Sequence, residues 1–254
     1  FLPVMTPAVQ AGAGGDSVCT AVYVDDGNIV IDKDGISVGG MYMGFGPDGY
    51  IITQRDSVRE TVYTITVEEN VDTNITLCGI NINTTTASPF AIKSNARVNL
   101  ILEKGTNNIL RSDDGSDVPE TNGFAALQMA ADSELVIDGQ GTLTATGGDY
   151  CAAIGGGKGE NGGTITIEGG IINAQGGYSG AGIGGGEGGD GGTITINGGT
   201  VEAVGGNRGG AGIGGGGMTD SRQFSHVDAL HVLGEPVAGP PPLVQAVQAR
   251  GAVL

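Results

Sequence analysis

Hydrophobic and polar residues alternate in short runs that recur along the second half of the chain. The runs are separated by glycine pairs or triplets, and examples are TITI (164–167), TVEA (200–203) and AGI (211–213). Alternation with a period of two, carried by β-branched residues, predicts β-strands. Glycine-bounded runs this short predict strands that bend sharply into the next one. Three strands per repeat therefore predict an all-β chain built from the coils of a three-sided solenoid.

Three copies of one repeat occur between residues 134 and 217. Equivalent residues return at steps of 29 or 30, as seen for Ala145, Ala174 and Ala203 and for Ile154, Ile183 and Ile213. Such a period indicates stacked units, whose recurring apolar side chains form inward ladders at the ~4.8 Å spacing of a single-stranded parallel β-helix. Collagen is excluded because residues 139–217 contain no proline, and a flexible linker would not preserve isoleucine at equivalent positions.

The preceding residues repeat the same order of strands with fewer glycines. We therefore predict a parallel β-helix over 57–217, with an N-terminal cap and first coil over 14–56. One inward position is predicted to be shared by Leu77, Leu102, Ile137, Ile167 and Ile196. The longest step in this series, 35 residues, is assigned to an inserted loop, RSDDGSDVPETN (111–122).

The two ends of the chain differ from the repeats. The opening FLPVMTPAVQAGA resembles the end of a signal-peptide core followed by an A-x-A cleavage pattern, so residues 1–13 are predicted to be a signal-peptide remnant of an exported protein. An ordinary apolar N-terminal strand is the alternative. Residues 218–254 contain no glycine triplet but hold both histidines and a triple proline, and we predict a disordered or foreign tail there.

The composition of the chain argues against several classes of binding partner. The formal net charge is −17 with only 11 Lys and Arg, which argues against direct binding of nucleic acid or of an anionic membrane surface. No run of 18 apolar residues predicts membrane insertion. The three cysteines, Cys19, Cys78 and Cys151, share no metal-ligand spacing, and each is expected to be a small buried residue. A disulfide between Cys78 and Cys151 is left open.

Aromatic and planar polar residues follow the same glycine corner in successive repeats. The repeat places Tyr150, Tyr178, Asn207 and Arg208 one above another along one edge. Tyrosine faces offer a platform for pyranose rings, and amide or guanidinium groups can bind sugar hydroxyls. The alternative is that the tyrosines merely cover a corner. Lys93 and Lys104, on earlier coils, are further candidates for binding an acidic sugar.

Carboxylate side chains come directly after the inward position that the leucines and isoleucines of successive coils are predicted to share. The residues after that position are Glu103, Asp138, Glu168 and Asn197, so a β-helix would stack them along one corner. Calcium takes six to eight oxygen ligands and suits such a row, and a second candidate cluster is Asp113, Asp114 and Asp117. Solvated carboxylates that are splayed apart remain the alternative.

The order of motifs also resembles a known family. The segments GTLTATGG, AAIGGG and GGTITI-GG, after NITLCGININ, are similar to those of carbohydrate-binding-domain proteins of Gram-positive anaerobes. The resemblance covers roughly residues 21–217. It implies a secreted, right-handed parallel β-helix related in architecture to pectate lyases, which binds polysaccharide with calcium along its coils.

We therefore predict a secreted or cell-surface protein that binds polysaccharide without catalysis. The first alternative is a passive adhesin or stalk that has no glycan site. A polysaccharide lyase would need a basic residue to remove a proton, but residues 134–217 contain only Lys158 and Arg208. An ice-binding protein is a further alternative, because a regular T-x-T array is formed by Thr164, Thr166, Thr193 and Thr195.

Overall fold

The protein is a parallel β-solenoid of about six turns with ~29 residues per coil. A computed structural model describes residues 8–11, 18–112, 123–217 and 229–233, with side chains described for 21–112 and 123–217. The predicted all-β class and coil length are confirmed. A single 3-10 helix, Val24–Asp26, occurs within the described residues. In the same part of the chain, no helix has the length and apolar character to cross a membrane.

Three sheets, here numbered I to III in the order in which each coil visits them, form the walls. Sheet I has eight strands in the spatial order β1 (Ala8–Ala11), β2 (Val18–Tyr23), β6 (Tyr50–Thr53), β8 (Asp72–Cys78), β11 (Arg97–Leu102), β14 (Glu134–Gly139), β17 (Thr164–Ile167) and β20 (Thr193–Ile196). Sheet II has six, β9 (Asn81–Asn83), β12 (Asn107–Arg111), β15 (Thr142–Thr146), β18 (Ile171–Gln175), β21 (Thr200–Val204) and β23 (Ala229–Leu233).

Sheet III has nine strands and contains the shortest ones. In spatial order they are β5 (Met41–Gly44), β4 (Gly35–Val38), β3 (Ile29–Asp32), β7 (Ile65–Val67), β10 (Phe90–Ile92), β13 (Leu127–Met129), β16 (Ile154–Gly155), β19 (Ile183–Gly184) and β22 (Ile213–Gly214). Strands of successive coils pair in parallel, as the repeat predicts. Within the described residues, antiparallel pairs occur only towards the two ends, between β1 and β2, within β3–β4–β5, and between β21 and β23.

The core is the column enclosed by the three sheets. Its inward ladders are apolar and in register, and Ala145, Ala174 and Ala203 stand opposite one another in sheet II. In sheet III Ile154, Ile183 and Ile213 are likewise aligned. These two predicted ladders are confirmed. At ~1.5 to 3 kcal/mol per fully buried aliphatic side chain, the ladders are the main stabilising contribution of the fold.

The predicted ladder of sheet I is wrong at one step. Leu102 is aligned with Leu77 as predicted, but it faces Gly139 in the next coil. Ile137 instead faces Leu100, and it continues correctly to Ile167 and Ile196. The slip is two residues, and a shift by two leaves the same side of a strand facing the core.

Glycines hold the short strands of sheet III together. Gly155 and Gly184 both have φ near +134°, a region that L-residues with a Cβ rarely adopt. A Cβ on Gly155 would lie only 1.9 Å from the carbonyl oxygen of Gly184 in the next coil. The stack therefore requires glycine here for backbone conformation and for close approach between coils.

The ends of the solenoid lie next to the segments with undescribed residues. Residues 8–11 form β1, while the rest of the proposed signal-peptide remnant lies outside the described residues. Of the predicted tail, residues 229–233 form β23, which pairs with β21, and the remainder is likewise outside the described part. The predicted boundaries at 13, 56 and 217 stay predictions.

The described cysteines are reduced. Cys78 and Cys151 are both free thiols, so the disulfide between them that the sequence left open is not formed. Burial raises the pKa of the Cys151 thiol to about 12, which keeps it protonated and unreactive. Cys151 is the small buried residue that was predicted, whereas Cys78 is only partly buried, so the prediction is wrong for Cys78; the side chain of Cys19 lies outside the described part.

Candidate functional site

The corner between sheets II and III carries a column of aromatic and cationic side chains. Tyr150 and Tyr178 lie in equivalent turns of adjacent coils, with ring centroids 5.6 Å apart and ring planes at 75°. The guanidinium carbon of Arg208, one coil further, lies 5.1 Å from the centroid of Tyr178. The sequence placed these three residues on one edge, and the structure brings them into contact there.

Backbone hydrogen bonds between coils fix the spacing of the column. The amide of Arg208 donates to the carbonyl of Tyr178 at 2.9 Å, and the amide of Glu187 donates to the carbonyl of Tyr150 at 2.7 Å. The backbone of Tyr150 has φ of +65°, which is the left-handed region, although this residue is not a glycine. Backbone hydrogen bonds therefore join the turns of successive coils, as they join the strands.

Lys158 is a member of the column that sequence reasoning assigned only to a lyase alternative. Its Nζ lies 4.0 Å from the centroid of the Tyr150 ring. The same Nζ lies 3.7 Å from Oε1 of Glu187, a carboxylate that is 7% exposed. Lys158 follows β16, whereas Tyr150 precedes it. Because β16 is only two residues long, the two neighbouring corners are close enough for this contact.

The arrangement of the rings and cations determines which groups of a ligand the column can contact. Both tyrosines are half-buried, and one face of each ring is covered by a cation, so the rings do not offer bare platforms. The surface instead combines cationic donors with half-buried aromatic rings. Cationic donors and tyrosine hydroxyls match the hydroxyl and carboxylate oxygens of sugars. Asn207 is exposed beside Arg208, and its side chain has no hydrogen bond within the described residues.

The two lysines of the earlier coils do not join this column. Lys93 follows β10, at the corner between sheets III and I, and β10 lies two coils before β16 in sheet III. Lys104 follows β11, at the corner between sheets I and II. Both are exposed. The candidates from the sequence therefore occupy three different corners and do not form one site.

The predicted carboxylate ladder is shorter than expected. Asp138 is aligned with Ile101, so Glu103 does not stand beneath it, for the same two-residue slip that displaces Leu102. Asp138, Glu168 and Asn197 do follow aligned isoleucines in sheet I. The Nδ2 of Asn197 donates to Oε1 of Glu168 at 2.8 Å, and the amide of Gly139 donates to Oδ1 of Asp138 at 2.7 Å.

This ladder does not fit a calcium ion. Two carboxylates and an amide supply few of the six to eight oxygen ligands that calcium takes, and one oxygen of each carboxylate already accepts a hydrogen bond, from the Asn197 amide or from the Gly139 N–H. Throughout the described residues, no group of three or more His, Cys, Asp or Glu could hold a metal ion. The second predicted cluster, Asp113, Asp114 and Asp117, lies outside the described residues, and its calcium binding stays a prediction.

We expect substitution of the ladder to leave any calcium response unchanged. The double variant Asp138→Asn, Glu168→Gln removes both carboxylates from an exposed row, where repulsion at ~4.8 Å is about 1 kcal/mol in bulk water. Thermal melts in calcium and in chelator should therefore differ by the same amount in the double variant and the wild type. A calcium-dependent shift that the double variant abolishes would contradict this expectation.

The threonine array is aligned as predicted. Thr164 and Thr166 stand opposite Thr193 and Thr195 on the outer face of sheet I. The row is not continued by threonine in the preceding coil, where Glu134 and Val136 occupy these positions. The array is thus a patch of two coils, and the ice-binding alternative stays untested.

The chain is thus a β-solenoid with an ordered column of aromatic and cationic side chains. The sequence model of one family, described as carbohydrate-binding domain-containing protein, matches residues 53–214. This match covers more than half of the chain, so the chain belongs to that family. Among curated proteins and solved structures, no match to the chain was found. Family and fold together support a carbohydrate-binding role and a carbohydrate partner.

Proposed function

We propose that the protein binds polysaccharide without catalysis, along the column of Lys158, Tyr150, Tyr178 and Arg208. The observation that carries this proposal is the contact between the two tyrosine rings of adjacent coils, flanked at each end by a cation. Successive sugar units of an extended chain can be contacted by successive coils. The spacing is that of the β-helix itself, ~4.8 Å per coil.

The non-catalytic part of the proposal rests on the basic residues. A lyase needs a base with a free lone pair next to the substrate, whereas Lys158 contacts Tyr150 and Glu187, and the guanidinium group of an arginine such as Arg208 offers hydrogen-bond donors and no acceptor. Both cations are therefore suited to hold a glycan in place. Family membership also suggests a non-catalytic role.

The cellular context is proposed on sequence grounds. The apolar opening with its A-x-A pattern and the acidic composition support export to the cell surface or medium of a bacterium. Calcium bound at Asp113, Asp114 and Asp117 would assist folding or binding there.

A passive adhesin or stalk is the second candidate, and the regular coil stacking favours it because a rigid rod needs no binding site.

Replacing Tyr178 by alanine is expected to weaken retention on polysaccharide about tenfold, because it removes the ring that joins Tyr150 to Arg208. Affinity electrophoresis through gels with embedded polysaccharides measures this effect. The matched control is Tyr63→Ala, which removes a tyrosine that is 41% exposed elsewhere on the solenoid. Circular dichroism and melting should be nearly unchanged in both variants. Equal retention of wild type and Tyr178→Ala would favour the passive stalk.

A further inference from the structure

A cavity of about 170 Å³ lies at the N-terminal end of the solenoid, far along the chain from the tyrosine column. It sits at the corner between sheets III and I, where the loop between β5 and β6 (residues 45–49) covers the turn that enters β8. The side chains relevant to binding are Asp32, Lys33, Phe45, Asn70, Asp72 and Asn74. Eight of the thirteen lining residues precede residue 53 and so lie outside the region matched by the family.

The covering loop is held in a defined position. The amide of Gly46 donates to the hydroxyl of Tyr50 at 3.4 Å, and the Tyr50 side chain is buried. Gly49 has φ of +116°, and a Cβ there would lie 2.4 Å from the carbonyl oxygen of Asn74. Only glycine permits this close approach to β8. The cavity is thus walled by a loop that packs directly on the coil.

Phe45 supplies an apolar surface at the cavity. Its side chain is 62% exposed although large aromatic residues are usually buried. The chain contains only five phenylalanines, and Phe90 is fully buried. Aromatic rings that border a cavity and stay exposed are typical of sites that stack against the C–H face of a sugar.

The polar groups around the cavity are partly fixed and partly free. Asp32 accepts hydrogen bonds from the amides of Asp34 and Gly35 through Oδ1 alone, which leaves Oδ2 available. Asn74 is oriented by two bonds, to the Asp48 carbonyl at 3.4 Å and from Asn99 Nδ2 at 2.9 Å. Within the described residues the side chains of Asn70 and Asp72 make no hydrogen bond, and both are exposed.

The local charge selects against acidic ligands. Two carboxylates, Asp32 and Asp72, line the cavity, and the one lining ammonium group, Lys33, is paired with Asp34 at 2.7 Å. Carboxylates accept strong hydrogen bonds from hydroxyl groups and repel other carboxylates. The volume of about 170 Å³ is many times the ~10–15 Å³ that one water needs, which leaves room for one sugar ring.

From this combination we propose that the cavity binds a single neutral pyranose ring, with Phe45 against its C–H face and Asp32, Asp72 and Asn70 bonded to its hydroxyls. This site is separate from the tyrosine column and does not depend on the proposed function of that column. It would hold one sugar unit of a glycan, since the cavity itself has room for a single ring.

The test is titration of the whole chain with neutral methyl pyranosides, namely those of glucose, galactose, mannose and xylose, and with glucuronate and galacturonate. Ligand-observed NMR and calorimetry report binding. At least one neutral sugar should bind saturably, more tightly than either uronate. Phe45→Ala and Asp72→Asn should each weaken that binding about tenfold, since each removes a principal contact. Asp72→Asn should also reduce the ratio between the affinity for the neutral sugar and the affinity for the uronates.

Matched controls separate this site from general surface effects. Met41→Ala removes a side chain that is also 62% exposed, and Glu69→Gln removes a carboxylate in the same turn as Asn70 that does not line the cavity; both should bind like wild type. Tyr178→Ala should also leave monosaccharide binding unchanged, which distinguishes this proposal from that for the tyrosine column. The proposal is overturned if no neutral sugar binds saturably, if the uronates bind more tightly, or if Phe45→Ala binds like wild type.

Discussion

Replacing Ile167 by aspartate is expected to destabilise the solenoid by at least about 4 kcal/mol, through lost apolar burial and a carboxylate placed in the core. Ile167 is fully buried in sheet I between Ile137 and Ile196. Among the described residues no buried side chain is cationic, so the new charge has no buried cationic partner. Because each coil contacts only its neighbours, the damage should include the coils on both sides.

Chemical denaturation followed by circular dichroism measures this loss. The control is Thr166→Asp, which introduces the same side chain at the adjacent position of β17 on the outer face, between Val136 and Thr195. We expect a change within about 1 kcal/mol for this control, as for most surface substitutions. Equal denaturation midpoints for Ile167→Asp and the wild type would contradict the proposed core.

Replacing Gly155 by alanine is expected to destabilise the protein by roughly 3 kcal/mol or more, although only one methyl group is added. Gly155 has φ of +134°, and the new Cβ would meet the Gly184 carbonyl oxygen at 1.9 Å. Relief of that overlap requires β16 and β19 to separate. Their parallel pairing is part of the ladder that continues to β22.

Gly159→Ala is the matched control in the same coil. Gly159 also has a positive φ, +76°, but no atom lies within 4 Å of the position of a Cβ. Its substitution should therefore show only the left-handed backbone term, about 1 to 2 kcal/mol. If the two alanine variants unfold at the same denaturant concentration, close approach between coils does not contribute to stability.

The contrast between these two glycines shows what a sequence pattern can and cannot identify. Both lie in the same glycine-rich segment, GGGKGENGG (155–163), and as letters they look equivalent. In the structure one supports a contact between coils and the other faces open space. The difference arises from the approach of another coil, which local sequence does not encode.

The candidate site was predictable where it followed the repeat. Tyr150, Tyr178 and Arg208 were placed on one edge from their common offset, and the structure shows their rings and guanidinium in contact. Lys158 was missed as a member because it belongs to the next turn of its coil. It reaches Tyr150 only because β16 is two residues long. The cavity beside Phe45 was missed because its walls come from three separated segments of the chain.

By itself the sequence determined the architecture of this protein: repeated apolar positions with a period of two inside a period of ~29 can be buried together only by stacking coils. Tertiary structure alone decided the register across the long loop, where Ile137 pairs with Leu100 and not with Leu102. The physical reason is that a shift of two residues keeps every side chain on the same face, so the hydrophobic pattern satisfies both registers equally. Only the packing of complete coils selects one of them.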